Sequence, residues 1–247
     1  MKTKILSIIL LFTAAMANAQ DIKEIVKKAD DKFRGKSSEG TMTMIIERPT
    51  WSRTVTMKSW SMGNDYSLIY ITAPAKEKGQ VFLKRESEMW NWVPTIERMI
   101  KIPPSMMMQS WMGSDFTNDD LVRESSLVID YTHKLIGEET IDGYKCYKVE
   151  LIPLPDAPVV WGKVLMWISK DEFYWLRSEF YDEDDILVNT EILSEIKKMD
   201  DRTMPTHLVM IPADKEGNKT TMIYDKIDFD VKIDESFFSQ QNMKRIR

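Results

Sequence analysis

The side chains that most often carry out catalysis or bind metals are sparse in this sequence. Its two histidines, His133 and His207, are isolated in strand-like segments, whereas a catalytic triad or a zinc site needs partners at recurring intervals. Cys146 is the single cysteine, which excludes an intramolecular disulfide and fits a small buried side chain better than a nucleophile. No glycine-rich phosphate loop, nucleophile elbow or zinc-protease motif is present. The sequence therefore predicts no catalytic residue, no metal site and no cofactor.

Two acidic stretches remain as candidates for a cation site. Residues 182–185 are four consecutive acids, and such a run between two strands is typical of a solvated turn. Residues 115–120 contain Asp115, Asp119 and Asp120, which fit the first turn of a helix, where a carboxylate complements the helix dipole. A pair of carboxylates for proton transfer stays possible, but no pair stands out from the others.

The unusual chemical feature is the distribution of soft apolar side chains. Ten of the 18 methionines and five of the eight tryptophans lie between Met42 and Met112. Methionine is flexible and polarisable, so it suits surfaces that accept variable apolar shapes. Two interpretations remain open: these side chains fill a core, or they line an apolar ligand cavity beneath a methionine-rich cover. The candidate lipid-binding residues are Trp60, Tyr70, Trp90, Trp92, Met106, Met107, Met108, Trp111 and Met112.

Most of the elements that position these residues are β-strands. An apolar stripe predicts a helix over Asp21–Phe33, and from Glu39 onward the apolar period changes to two. Strands then follow at short intervals, and Trp90 and Trp92 share one strand face, which should look into the cavity. After Pro103-Pro104, two short helices are predicted at 105–113 and 114–122. The expected fold is mainly β (α+β): an incomplete antiparallel barrel, a curved sheet of about 10–12 strands, with an N-terminal helix and a short helical lid over an apolar cavity.

The N-terminus has the features of a secretory signal. Lys2 and Lys4 precede the apolar run Ile5–Ala15, and Ala17-Asn18-Ala19 supplies the small-x-small cleavage pattern before Gln20. The apolar run is too short to span a bilayer. We therefore expect an exported protein that is cleaved after Ala19. Its formal net charge of −5 argues against a nucleic-acid partner.

Several segments occur in an order that is typical of one family. An exported helix and two long strands precede Tyr66–Ile71 and a glycine-containing turn. Next come Met89-Trp90-Asn91-Trp92-Val93-Pro94, a helical insertion, Ile141–Tyr147 and, after the last strand, Phe237-Phe238. In this arrangement the chain resembles the LolA-like periplasmic lipoprotein carriers, the outer-membrane lipoprotein-sorting proteins, in a longer and divergent branch. The resemblance covers nearly all of residues 20–247, which we expect to form a single LolA-like half-barrel domain after a signal peptide of residues 1–19.

The resemblance implies a non-enzymatic periplasmic carrier that binds acyl chains of lipoproteins or lipids in an apolar cavity for transport toward the outer membrane. Its implied partners are acylated cargo, an inner-membrane transporter and an outer-membrane acceptor. In the best-known carriers an arginine before a proline on an early strand bonds to the lid. The matching region here reads Trp60-Ser61-Met62-Gly63-Asn64, without that arginine, and Arg53 or Arg98 are the substitutes considered.

Two other functions fit the same resemblance. One is a periplasmic sensor of lipids or lipoproteins, or an accessory subunit of a membrane lipid transporter, which would need a stable protein interface. The other is an enzyme on the same architecture, because a fold does not determine function. A cluster of polar residues inside the cavity would favour the enzyme.

Overall fold

The computed structural model describes residues 22–33, 35–86, 88–118, 120, 127–155, 157 and 159–246. The expected signal peptide and Gln20 lie outside these residues. The described chain is mainly β, as the alternating apolar period predicts. Its strands are β1 (Ser37–Arg48), β2 (Trp51–Met62), β3 (Tyr66–Ala73), β4 (Val81–Arg85), β5 (Glu88–Val93), β6 (Arg98–Ile102), β7 (Tyr131–Ile141), β8 (Tyr144–Pro153), β9 (Lys163–Ser169), β10 (Trp175–Tyr181), β11 (Leu187–Met199), β12 (Arg202–Pro212) and β13 (Lys219–Phe229).

The chain divides into two compact units. The first contains most of helix α1 (22–33) together with strands β7 to β10, which pair antiparallel in the order β10-β9-β8-β7. The apolar stripe of α1, at Ile22, Ile25, Val26 and Ala29, packs in one core with side chains of β8 and β9. The predicted N-terminal helix is thereby confirmed in its described part.

The second unit contains the remaining nine strands, in the order β6-β5-β4-β3-β2-β1-β13-β12-β11. Each pairing of neighbouring strands within the unit is antiparallel. The C-terminal segment 231–246 adds one short helix, α2 (Gln240–Met243). Neither set of strands closes into a barrel, so the prediction of an incomplete antiparallel sheet with few helices is confirmed.

Most strand positions agree with the sequence pattern, but β7 is displaced. The pattern placed this strand at about residues 126–136, and the structure has it at Tyr131–Ile141. A register irregularity between Leu135 and Gly137 shifts the alternation of apolar residues, which explains the error. Among the helices described here, none has the length and apolar character of a membrane span. That residues 20–247 form a single domain stays a prediction.

Candidate functional site

Four of the predicted lipid-binding residues lie together on one face of the second unit. Trp60 pairs with Leu68, Leu68 with Leu83, and Leu83 with Trp90, and directly paired residues point to the same side of a sheet. Tyr70 and Trp92 flank Val81 in the neighbouring row. The prediction that Trp90 and Trp92 share a face is confirmed. We call the surface formed by Trp60, Tyr70, Trp90 and Trp92 the aromatic face.

The aromatic face is covered by the chain's own C-terminal segment. Phe238 and Met243 are fully buried in the cluster that contains Tyr70 and Trp90. The Phe237 ring lies 5.5 Å from the Trp60 ring between centroids. The Arg85 guanidinium donates a hydrogen bond to the Phe238 carbonyl oxygen at 3.2 Å. These contacts pack Tyr70 and Trp90 in a core, whereas Trp60 and Phe237 are half-buried and border a cavity of about 610 Å³ beside the C-terminal segment.

The opposite face of the same strands is rich in methionine. Phe82 lies between Val81 and Leu83 on β4, so its side chain points away from the aromatic face. Phe82 pairs with Ile69, and in the neighbouring row Ile71 pairs with Met57, which in turn pairs with Met42. We call this buried surface the methionine face; its central residues are Met42, Met44, Met57, Met222 and Met210.

Residues 104–118, which we call the cover segment, cross the methionine face. The Trp111 ring makes an edge-on contact with Phe82 on β4, with 5.3 Å between centroids. Four residues later, the Asp115 amide donates a hydrogen bond to the Thr220 hydroxyl on β13 at 2.9 Å. Strands β3, β2 and β1 lie between β4 and β13 in the sheet order. The segment therefore passes over the strands that carry Met42, Met44 and Met57.

The cover segment is not the helix that its sequence predicts. The structure has two single 3-10 turns instead, at Pro104–Met106 and Trp111–Gly113. Pro103 and Pro104 have no backbone N–H to donate, and Met112 and Gly113 adopt positive φ angles of 51° and 75°, which no α-helix accommodates. The predicted second helix, 114–122, is described only through residues 114–118 and 120.

The side chains of the cover segment point in different directions. Trp111 is 1% exposed and Met107 is 9% exposed, whereas Met108 is 48% exposed. Met106 and Met112 are half-buried. The nine candidate residues thus do not form one site, because the aromatic four lie on one face and Trp111 packs on the other. The sequence could not separate them, since alternation assigns residues to faces only when the register is known.

Two arginines bond to the cover segment at one end of the methionine face. Arg48 donates to the Asp115 carboxylate at 2.9 Å and to the Gly113 carbonyl oxygen at 2.8 Å. Arg53 donates to the Met112 carbonyl oxygen and pairs with Glu77 at 2.8 Å. We call Arg48, Arg53, Asp115 and Thr220 the polar clasp. Asp115 also accepts a hydrogen bond from the Thr220 hydroxyl at 2.6 Å.

One arginine of the polar clasp has the sequence context described for the carrier family's lid-binding arginine. Arg48 is the last residue of β1 and directly precedes Pro49, so it has the early-strand position and the following proline expected of that residue. Arg53 does bond to the cover segment, as considered, whereas Arg98 is exposed on β6.

Glu191 is a buried acid on the methionine face that the sequence did not single out. It pairs with Met210, which pairs with Thr220, so it lies in the same row as the clasp threonine. Its residue surface is 5% exposed. Burial, and then the nearby Asp120 carboxylate, raise the pKa of Glu191 to about 8. The sequence feature that could have identified Glu191 is the alternation of Asn189, Glu191 and Leu193. These three residues share one strand face, and two of them are polar although that face is buried.

The other titratable side chains that the sequence raised as candidates have hydrogen bonds or burial typical of residues with a structural role. His133 bonds through Nε2 to the Leu127 carbonyl oxygen at 2.6 Å, and burial lowers its pKa. Burial raises the pKa of the Cys146 thiol, which disfavours the reactive thiolate. In the predicted turn, Asp182 accepts hydrogen bonds from the Asp184 and Ile186 amides. Within the described ranges, no three acidic, histidine or cysteine side chains are arranged to hold a metal ion.

Comparison with known proteins places this chain in a family. The model of one family, whose description is "-like: Uncharacterized protein", matches residues 63–245, which is most of the chain. The chain belongs to this family. No curated protein matches it.

Solved structures share its fold. A DUF1329 family protein from Desulfovibrio piger is 26% identical, with a TM-score of 0.82 over 91% of this chain and 98% of that one. A LolA superfamily protein from Nitrosomonas europaea is 24% identical, with a TM-score of 0.76 over 90% and 98%. A putative outer membrane lipoprotein-sorting protein domain from Vibrio parahaemolyticus is 23% identical, with a TM-score of 0.80 over 92% and 100%. The predicted resemblance to the LolA-like fold is confirmed.

Proposed function

We propose that this protein is a non-enzymatic carrier that binds acyl chains of lipoproteins or lipids between the cover segment and the methionine face. The main support for the proposal is the way the methionine face and the cover segment are built. Buried methionines form its floor, and a segment without regular helix crosses it and is fixed at one end by side-chain hydrogen bonds. Lids that open for a ligand are commonly built as such segments. The LolA-like fold, found in a lipoprotein-sorting domain, supports the same function.

The binding surface that we propose differs from the one that the tryptophans predict. At Tyr70 and Trp90 the aromatic face is filled by Phe238 and Met243, which would have to leave before a ligand could enter there. The cover segment, by contrast, has an exposed Met108 next to a buried Met107, and its contacts with the sheet include those of Trp111 with Phe82 and of Asp115 with Thr220. An acyl chain therefore enters beneath the cover segment.

The energy of burying an acyl chain is large enough to open the cover segment. At about 0.8 kcal/mol for each methylene, a 14-carbon chain contributes about 11 kcal/mol. The hydrogen bonds of the polar clasp contribute about 1–3 kcal/mol each, with the higher values for those to charged groups. A ligand can thus offset the loss of the clasp and still bind.

The cellular setting is part of the proposal. We infer that the chain is exported, is cleaved after Ala19 and acts in the periplasm, where a carrier passes cargo from an inner-membrane transporter to an outer-membrane acceptor. The signal sequence and the family resemblance support this placement. Acylated lipoproteins or free lipids are the cargo that the apolar surface fits.

Two neighbouring methionines provide a matched test of the proposed surface. We expect Met107→Ser to weaken binding of palmitate about tenfold, because Met107 faces inward and loses apolar contact with the chain. Met108→Ser is the control and should leave the affinity unchanged, because Met108 already faces solvent. Tryptophan fluorescence measures both, since the Trp111 indole belongs to the cover segment and is buried against Phe82 of the sheet.

The same pair of variants separates a binding surface from ordinary packing. If Met107→Ser lowers the melting temperature but the remaining folded protein binds palmitate as tightly as the parent, Met107 is only a core residue. No saturable fluorescence change with palmitate in the parent protein would count against the carrier function itself.

A further inference from the structure

The methionine face contains two buried polar side chains that lack partners. Glu191 is 5% exposed and Asn189 is 7% exposed, and both belong to the buried phase of β11. Across the described part of the chain, neither side chain makes a hydrogen bond or an ion pair. Their presence on an otherwise apolar surface points to a ligand with a polar group.

The charges around Glu191 indicate which polar group fits. Asp120 is the charged group of the described chain that acts on Glu191. The strand partner of Glu191 is Met210, and the next residue in the row is Thr220, so neither supplies a charge. The cations of the cover region are engaged, because Arg48 pairs with Asp115 and Arg53 pairs with Glu77. Among the described residues, the site therefore has an excess of acid and of hydrogen-bond acceptors.

We propose that Glu191 and Asn189, together with Asp120, bind a protonated primary amine at the polar end of an amphiphile whose alkyl chain lies on the methionine face. This inference rests on the proposed carrier function and adds a ligand class to it. An ammonium group offers three donors and no acceptor. The Glu191 carboxylate, the Asn189 carbonyl oxygen and the Asp120 carboxylate are the matching acceptors.

Binding of the amine is linked to release of a proton. In the ligand-free protein Glu191 holds its proton at neutral pH, because its pKa is raised to about 8. An alkylamine, like the lysine side chain, stays protonated up to about pH 10. Formation of the ion pair requires ionised Glu191, so the carboxyl proton passes to the buffer and the amine keeps its own. The affinity for the amine therefore rises with pH below the pKa of Glu191, by about tenfold for each pH unit.

The test compares dodecylamine with 1-dodecanol, which have the same alkyl chain and differ in the charge of the end group. Titration calorimetry between pH 6 and pH 8 should show tighter binding of dodecylamine as the pH rises, with uptake of about one proton by the buffer at pH 6. Dodecanol should bind with no pH dependence. Glu191→Gln should remove the pH dependence for dodecylamine, and the fold should be kept because a protonated carboxyl and an amide have similar shape.

The exposed acid Glu195, on the same strand, supplies the control. Glu195→Gln should bind dodecylamine with the pH dependence of the parent protein. If dodecylamine and dodecanol bind with the same pH profile, or if Glu191→Gln keeps the preference for the amine, the amine site is wrong while the carrier function stands. If neither ligand binds at any pH, both proposals are overturned.

Discussion

Arg48→Met is expected to raise the affinity for palmitate about tenfold and to speed its association. Arg48 donates to the Asp115 carboxylate and to the Gly113 carbonyl oxygen, and the Arg48 and Asp115 side chains are both largely buried. Removing the arginine weakens the closed arrangement of the cover segment. Because a ligand that needs the open form binds in proportion to its population, its apparent affinity increases. Stopped-flow tryptophan fluorescence measures the rate and equilibrium titration measures the affinity.

The same substitution is expected to lower the free energy of unfolding by about 3–5 kcal/mol, because it leaves a buried carboxylate without its cation. Thr220→Val is a milder variant that removes one hydrogen bond of the polar clasp, at a cost of about 1 kcal/mol. It should shift the affinity in the same direction. Arg98→Met, at an exposed arginine, is the control. Unchanged association rates in both clasp variants would show that the clasp does not restrict entry of the ligand.

Phe238→Ala is expected to cost about 3–5 kcal/mol of unfolding free energy, because Phe238 is fully buried against the aromatic face. For a protein of this size, the melting temperature falls by roughly 10 °C. Binding of palmitate below the transition should stay within about twofold of the parent, since the aromatic face is packing in our account. Calorimetric melting and fluorescence titration measure the two quantities.

Phe237→Ala provides the comparison for this result, because the neighbouring phenylalanine is only half-buried. We expect a smaller loss of stability than for Phe238→Ala and again no change in affinity. A large gain in palmitate affinity in Phe238→Ala would mean that the emptied aromatic face accepts acyl chains. That outcome would return the binding site to Trp90 and Trp92.

The strands were predictable because their signals are local. Strands β6, β8, β9 and β10 have the bounds that alternation and turn residues indicate. Strand β12 (Arg202–Pro212) is longer than the strand at 207–211 that the alternation predicts, and it includes Pro205, which pairs with Ile196. The helix α1 was equally readable from its apolar stripe. In each case, the residues that decide the structure are neighbours in sequence.

The candidate site was predictable only in part, because it depends on which distant residues meet. The cluster of methionines indicated a special surface, but the face on which each residue lies depends on strand register. The hydrogen bond from Arg48 to Gly113 joins residues far apart in the chain, and no local sequence pattern predicts it. Glu191 lies in an ordinary alternating strand, and only the burial of that strand face makes its carboxyl unusual.

The most direct test of the proposed function is to locate a bound acyl chain by photo-crosslinking. A fatty acid with a diazirine along its chain would be bound, irradiated and mapped by peptide mass spectrometry. We predict adducts on the methionine face and the cover segment, at Met44, Met57, Met107 or Trp111. Adducts confined to the aromatic face, at Trp60, Trp90 or Trp92, would contradict the proposal that acyl chains bind beneath the cover segment.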